Sequence, residues 1–276
     1  MFFLDEELPL GVQDSEEIKK TAIVGTGNIA WHLVRALSNS GIEITYVISR
    51  SMKRAEAMAE VVAAIPLDDP GKVEEQPDMY LLCVSDDALP VVQATYAGKG
   101  SLVVHTSGST GIDVLEQTGN ETGVLYPLQT FSKGIKMTYD HIPFLVEGSD
   151  KNATIRLKHL AERISQQVQC IDSQQRRMIH VAAVFACNFS NHLSVIADRL
   201  LQETGLDFDL LQPLVEQTLS KLRTTAPLEA QTGPAVRNDQ ATIGKHLEML
   251  DNKPEEQELY KLLSDNILRY RKKRNE

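Results

Sequence analysis

The run Thr21-Ala22-Ile23-Val24-Gly25-Thr26-Gly27-Asn28-Ile29-Ala30 constrains the fold of this chain more than any other stretch. A short, β-branched apolar segment enters a G-x-G-x-x-A turn. Apolar positions at Ile29, Leu33, Ala36 and Leu37 then follow a helical period, ending at Gly41 as a C-terminal cap. The spacing predicts a strand over Thr21–Val24 and a helix over Asn28–Ser40. The first glycine permits the tight turn, the second lets the backbone approach a diphosphate, and the small Ala30 lets helix and strand pack closely. The helix N-terminus offers N–H groups and partial positive charge to phosphate. The bland alternative is a plain glycine turn. The strand before and the helix after favour dinucleotide binding by Gly25, Thr26, Gly27, Asn28, Ile29 and Ala30.

The next strand, predicted over Ile42–Ile48, bears on which dinucleotide. NAD-binding units usually end it with Asp or Glu, which accepts from the ribose hydroxyls. Here it ends in Ser49-Arg50-Ser51, with Lys53 and Arg54 beyond. Ser49 and Ser51 can donate to a 2′-phosphate, and Arg50 can pair with it or stack on adenine. Such charge-assisted bonds contribute roughly 1.5–3 kcal/mol. NADP(H) is therefore expected over NAD(H), against the simpler reading of a solvated basic turn.

Apolar runs at Met79–Val84, Leu102–His105, Gly123–Leu125 and Phe144–Val146 read as further strands. Helices are expected at Ser51–Val62, with Ser51 as N-cap, at Ala88–Tyr96 and at Ala153–Ser165. Alternating strands and helices predict a parallel sheet covered on both faces. From Gln174 the pattern is helical only: Gln174–Thr204, Asp209–Arg223, Ala241–Asp251 and Pro254–Arg271. The expected fold is thus α/β, a Rossmann-type doubly wound and mainly parallel sheet followed by an all-α C-terminal domain. Its parts would be an acidic N-terminal extension (1–18), a dinucleotide-binding domain (19–172) and a helical domain (173–276).

A net charge of −10 argues against nucleic acid as a partner, because phosphate contacts need clustered Lys and Arg. Cys83, Cys170 and Cys187 are odd in number and set among apolar residues, which suggests buried, reduced thiols and a cytoplasmic location. Residues 1–4 lack the basic start of a signal peptide, and no run reads as a membrane span. The histidines show no ligand spacing with Cys, Asp or Glu, so no metal site is expected.

Ligands of doubly wound sheets bind beyond the carboxyl ends of the strands. There Val84 and Ser85, followed by Asp86 and Asp87, could border the coenzyme, or Ser85 and Asp87 could cap the helix at Ala88. His105 and Ser107 stand at the next strand end, as candidate proton donor and substrate contact. On the long helix, His180, Val184, Cys187 and Asn191 share a stripe, with Asn188 nearby. Polar groups in an apolar stripe need buried partners, so His180, Asn188 and Asn191 are either satisfied core groups or catalytic ones. An imidazole near neutrality suits proton delivery during hydride transfer. Arg237, after Gly233-Pro234, could meet an anionic substrate or cross a dimer interface. Equally, that segment could only break the chain before a helix that Asp239 starts.

Four segments together carry a resemblance: Gly25–Ala30, His105-Thr106-Ser107-Gly108, Tyr126-Pro127-Leu128-Gln129-Thr130-Phe131 and Gly233-Pro234-Ala235-Val236-Arg237-Asn238-Asp239. Over residues 19–252 the chain resembles a bacterial family of NADP oxidoreductases in which a Rossmann-like domain precedes a helical domain of unknown function. That family is similar in architecture to pyrroline-5-carboxylate reductase, ketopantoate reductase and 6-phosphogluconate dehydrogenase. The resemblance implies a helical domain of the 6-phosphogluconate dehydrogenase type, homodimers formed through it, and an active site between the domains. It implies NADP(H)-dependent hydride transfer to a small C=O or C=N substrate. Two alternatives stand beside it: a non-catalytic NADP(H) sensor, and hydride exchange with a second carrier such as a deazaflavin. The catalytic lysine of hydroxyacid dehydrogenases is not recognisable, since the long helix carries only Arg176, Arg177 and Arg199 as cations, beside His180 and His192.

Overall fold

The computed structural model describes residues 17–274. The acidic extension, up to residue 16, lies outside them. Its last two residues belong to the folded body instead: Ile18 is buried, and Glu17 pairs with Arg163 at 2.8 Å.

The first strand, β1 (Lys20–Val24), is buried from Thr21 onward and does not alternate polar with apolar, as befits a strand covered on both faces. Ile23 joins one core layer, Ala22 and Val24 the other. The sheet adds β2 (Glu43–Ile48), β3 (Ile65–Leu67), β4 (Met79–Leu82), β5 (Leu102–His105), β6 (Thr122–Pro127), β7 (Phe144–Gly148) and β8 (Val168–Cys170) in the order 3-2-1-4-5-6-7-8. All neighbours run parallel except β6 and β7, which are antiparallel. The segment 128–143 between those two has no helix to carry the chain back across the sheet, so β7 returns alongside β6. The order reverses between β1 and β4, which opens the ligand crevice at their carboxyl ends.

One face is covered by α1 (Asn28–Asn39), α2 (Met52–Ala59) and, further along the chain, α4 (Lys151–Glu162), through Leu33, Leu37, Met58, Leu157 and Leu160. The other carries short pieces: 3-10 turns flanking α3 (Leu89–Val92), and the 3-10 segment Ile112–Thr118. There Leu89, Tyr96 and Leu115 pack on Tyr80 and Val103. The helix expected at Ala88–Tyr96 is thus broken into tighter turns, with Pro90 in its first turn. Ser51 occupies the N-cap of α2 but makes no side-chain cap bond.

The chain divides into two compact units, Met1–Phe185 and Ala186–Glu276, further along than the expected boundary at 172/173. The helix predicted over Gln174–Thr204 forms as Ser173–Gln202. It comprises α5 (Ser173–Ala183), a π-helical segment (Val184–Phe189) and α6 (Ser190–Gln202). Its first part goes with the sheet because Arg176 is buried there. By length and composition alone this helix is also apolar enough to cross a membrane, a test that the core helix of a soluble protein passes as well.

The second unit comprises α6, α7 (Gln212–Lys221), α8 (Pro227–Ala230), α9 (Gln240–Met249) and α10 (Pro254–Arg274). It is pinned by His246 Nδ1 to the Tyr260 hydroxyl at 2.8 Å and by Lys253 to Glu203 at 2.8 Å. Among its described residues only Ala235 and Leu250 are buried apolar groups, while Leu193, Leu214, Leu219 and Leu222 are exposed.

Candidate active site

The glycine turn has the form its sequence demands. Gly25 takes φ +105°, and an added Cβ would overlap the Cys83 carbonyl. Its N–H donates to the Ile48 carbonyl at 2.8 Å, while Cys83 N–H donates to Val24 at 2.7 Å, so the turn is seated between the ends of β2 and β4. Gly27 has open space where a side chain would begin. It stands at the N-cap of α1, where no side-chain bond caps the helix and no acid occupies the first turn. N–H groups left in this state, beside open space, fit an anion such as a dinucleotide diphosphate.

Ser49 continues β2 by donating its N–H to Leu67 at 2.9 Å, and its hydroxyl lies 3.4 Å from that of Thr26. Ser51 N–H reaches the same hydroxyl at 3.3 Å. Arg50, Lys53 and Arg54 are exposed, and no carboxylate follows β2 before Glu56. Val84 is half-buried and Ser85 exposed at the end of β4. The Ser85 hydroxyl does not cap the turn that follows, so the capping reading fails. Buried Cys83 behind it is a thiol whose pKa burial pushes up to about 12. The expectation of buried thiols fails at Cys170 and Cys187, which are exposed: one ends the short edge strand β8, the other sits on the little-buried π segment.

His105 does not have the environment of a proton donor. It is buried at the end of β5, and its Nδ1 accepts the Ser107 N–H at 3.1 Å. Nδ1 is then unprotonated, so Nε2 carries the hydrogen and donates to the Gly111 carbonyl at 3.3 Å. Burial, aided by the Arg176 charge, holds its pKa down at about 4. The ring is a neutral clasp for the loop 106–111. Ser107 is likewise engaged locally, its hydroxyl accepting from Ser109 N–H at 3.2 Å and Thr110 N–H at 2.9 Å. The hydroxyl expected to meet substrate builds the turn instead. Ser109 in turn donates to the Asp86 carboxylate.

His180, also expected to be catalytic, is brought to the same edge of the sheet. Its Nδ1 lies 3.0 Å from the hydroxyl of Tyr126, which leaves β6 on the same side as His105 leaves β5. The rings meet edge-on at 5.9 Å. Gly108 makes the approach possible, because a Cβ there would come within 2.6 Å of His180 Nδ1 and 2.7 Å of Tyr126 Cζ. Burial raises the Tyr126 pKa, with the Asp86 charge adding to the effect.

Beneath the pair, Arg176 bonds to Glu147 of β7 and donates to the Thr110 carbonyl at 2.6 Å. Glu147 also accepts from the Ser173 hydroxyl at 2.7 Å, and Ser173 receives the Ile112 N–H at 3.0 Å. This network fixes the start of α5, and with it His180, to the sheet. Asn188 and Asn191 belong to the helical unit and are exposed, as is Arg237. Asp239 is the N-cap of α9, accepting from Thr242 N–H at 3.1 Å, so the cap that was one reading of that segment is present. Tyr126, Arg176 and Glu147 were not singled out from sequence. The Tyr-Pro-Leu-Gln-Thr-Phe segment was the one signal that could have found Tyr126.

Residues 20–108 match a family model described as NADP oxidoreductase, coenzyme F420-dependent, and residues 142–267 match the domain of unknown function DUF2520. A Bacteroides fragilis protein assigned as an NADP oxidoreductase is 38% identical, with 92% of this chain and 99% of that one covered at a TM-score of 0.85. The chain belongs to this NADP oxidoreductase family. A Thermotoga maritima protein matches at 23% identity and a TM-score of 0.72, covering 93% of this chain and 100% of that one. The fold extends to a reductive aminase of Aspergillus terreus solved with NADPH and ethyl-5-oxohexanoate, at 15% identity, coverages of 91% and 93%, and a TM-score of 0.62. No curated protein matched the sequence. Family and neighbours together make this chain an oxidoreductase that uses a nicotinamide coenzyme.

Proposed function

We propose that this oxidoreductase is an NADP(H)-dependent reductase of a small C=O or C=N compound. The observation that carries the reading is the uncapped α1 N-terminus beside Gly27, next to a β2 end that offers Ser49, Arg50 and Ser51 without a carboxylate. Gly25 to Ala30 would hold the diphosphate, and Arg50 with the two serines would hold the 2′-phosphate. Val84 and Ser85 would border the coenzyme at the end of β4. The Aspergillus neighbour, a reductive aminase solved with NADPH, supports the substrate class.

The coenzyme, when bound by these residues, would supply hydride to the substrate carbon. The electron pair of the C=O or C=N bond then needs a proton at its heteroatom, and His180 provides it. Tyr126 is the positioning residue, holding the imidazole through Nδ1. Two copies pair through the exposed apolar residues of the helical unit, and free thiols suit a reducing cytoplasm.

A second reading, hydride exchange with a deazaflavin carrier, is favoured by the description of the model that matches residues 20–108. That match ends at residue 108, before Tyr126 and His180. NADPH oxidation in the presence of a deazaflavin, against a panel of imines and ketones, separates the two.

Thermal unfolding with NADPH, NADH and no ligand tests the main reading. A ligand at 100 times its Kd stabilises by about 2.7 kcal/mol, roughly 5–11 °C here. The expected result is a rise with NADPH, little with NADH, and loss of the difference in Arg50→Ala. No rise with either coenzyme overturns it.

A further inference from the structure

The segment 128–143 between β6 and β7 is folded back onto the glycine turn rather than left as a bare connection. His32, buried on α1, donates from Nε2 to the Ser132 carbonyl at 2.9 Å; a carbonyl can only accept, which fixes the tautomer. Its Nδ1 is then free to accept from the Tyr139 hydroxyl at 3.3 Å, and its ring lies tilted against Phe131, with centroids 4.9 Å apart. One histidine thus grips three points of the segment. The grip brings Lys133 to the phosphate loop, where its ammonium donates to the Thr26 carbonyl at 2.8 Å, one residue before Gly27. Trp31 on α1 lies beneath, its ring 5.7 Å from the Lys133 nitrogen and 3.7 Å from the Arg35 guanidinium carbon.

Among the described residues no carboxylate pairs with Lys133, and the Thr26 carbonyl takes one of its three ammonium hydrogens. A cation is therefore held beside open space and uncapped helix N–H groups, on a protein whose net charge is −10. An ammonium without a carboxylate partner beside a helix N-terminus is opposed by the macrodipole. An anion bound there removes the opposition.

We propose that Lys133 is a coenzyme-binding residue whose ammonium pairs with the diphosphate of the dinucleotide, and that His32 is the positioning residue for the loop that delivers it. The proposal rests on the dinucleotide reading of the glycine turn. It gives the His-bound loop a purpose that the Rossmann unit alone does not supply, and it divides the phosphates: Arg50 for the 2′ group, Lys133 for the diphosphate.

The test is titration of the full chain with NADPH and with NADH, followed by calorimetry and by the fluorescence of Trp31, the chain's single tryptophan. Lys133→Gln should weaken both coenzymes alike, by roughly tenfold or more, because both carry the diphosphate. Arg50→Ala should weaken NADPH alone. Lys133→Arg should retain most of the affinity. His32→Ala should weaken binding when Lys133 is present and add little to Lys133→Gln, a non-additivity that a merely structural histidine does not give. Unchanged affinity in Lys133→Gln overturns the assignment while leaving the dinucleotide reading intact. A loss confined to NADPH overturns it too, by moving Lys133 to the 2′-phosphate. A wild-type chain that binds neither coenzyme overturns the assignment and the reading beneath it together.

Discussion

The fully buried guanidinium of Arg176 is bonded to the carboxylate of Glu147, joining the first turns of α5 to β7. Removing one partner leaves the other charged and enclosed, which costs about 3–5 kcal/mol. Arg176→Met and Glu147→Gln should each lower stability on that scale in urea unfolding, with the Arg176 variant worse because it also frees the Thr110 carbonyl. The double variant should lose less than the sum. Additive losses would mean that the two side chains act independently.

His180→Gln should lower kcat by about 10²–10⁴-fold, with coenzyme affinity retained. Tyr126→Phe keeps the ring and removes its bond to Nδ1, so it should cost less and change the pH profile of kcat. His105→Gln should leave kcat within a few-fold of wild type. If His105 variants lost turnover and His180 variants kept it, the assignment of roles would be reversed. Single-turnover kinetics with saturating NADPH would measure this.

His105 makes the stability of the sheet unit depend on pH with a definite sign. Its folded pKa is about 4, against 6.5 for the ordinary group, because of burial first and the Arg176 charge second, while Asp86 and Asp113 oppose the shift. Between those values the unfolded chain binds more protons than the folded one, so stability falls as pH falls from about 6.5 towards about 4. The loss from this group is up to about 3 kcal/mol. Urea midpoints at pH 7 and pH 4.5 should separate more in wild type than in His105→Gln. Equal separations would remove His105 from the account.

The helical unit should not keep its stability on dilution. Leu193, Leu214, Leu219 and Leu222 are exposed on one copy, and the proposed pairing of two copies would supply the missing apolar burial. Tm should rise with protein concentration, and Leu219→Asp should lower both Tm and the mass seen in sedimentation. A concentration-independent monomer would refute the pairing.

Much of the fold was written locally. The β1 turn and α1 could be read from Val24 to Gly41 because strand propensity, glycine placement and helical period all agreed there. The strands β3 and β8 could not be read, since Pro66 interrupts one and Gln169 the other; each is a short three-residue strand set by its neighbour rather than by its own pattern. The glycine loop of the site was legible for the same reason as the fold. The Tyr126–His180 pair was not, because its members are separated by more than fifty residues and meet only through the return of β7 and the Arg176 anchor. His105 misled for a related reason: a histidine at a strand end looks catalytic until both ring nitrogens are seen to be spent on the backbone.

Gly108 leaves no room for even one methyl group beneath the two rings. A lineage built on this arrangement has to keep glycine there or move one of the two rings. It cannot retune the pair from below by small steps, because the smallest step already collides. The loop under the pair should therefore change seldom in such a lineage and, when it does, together with residue 126 or 180.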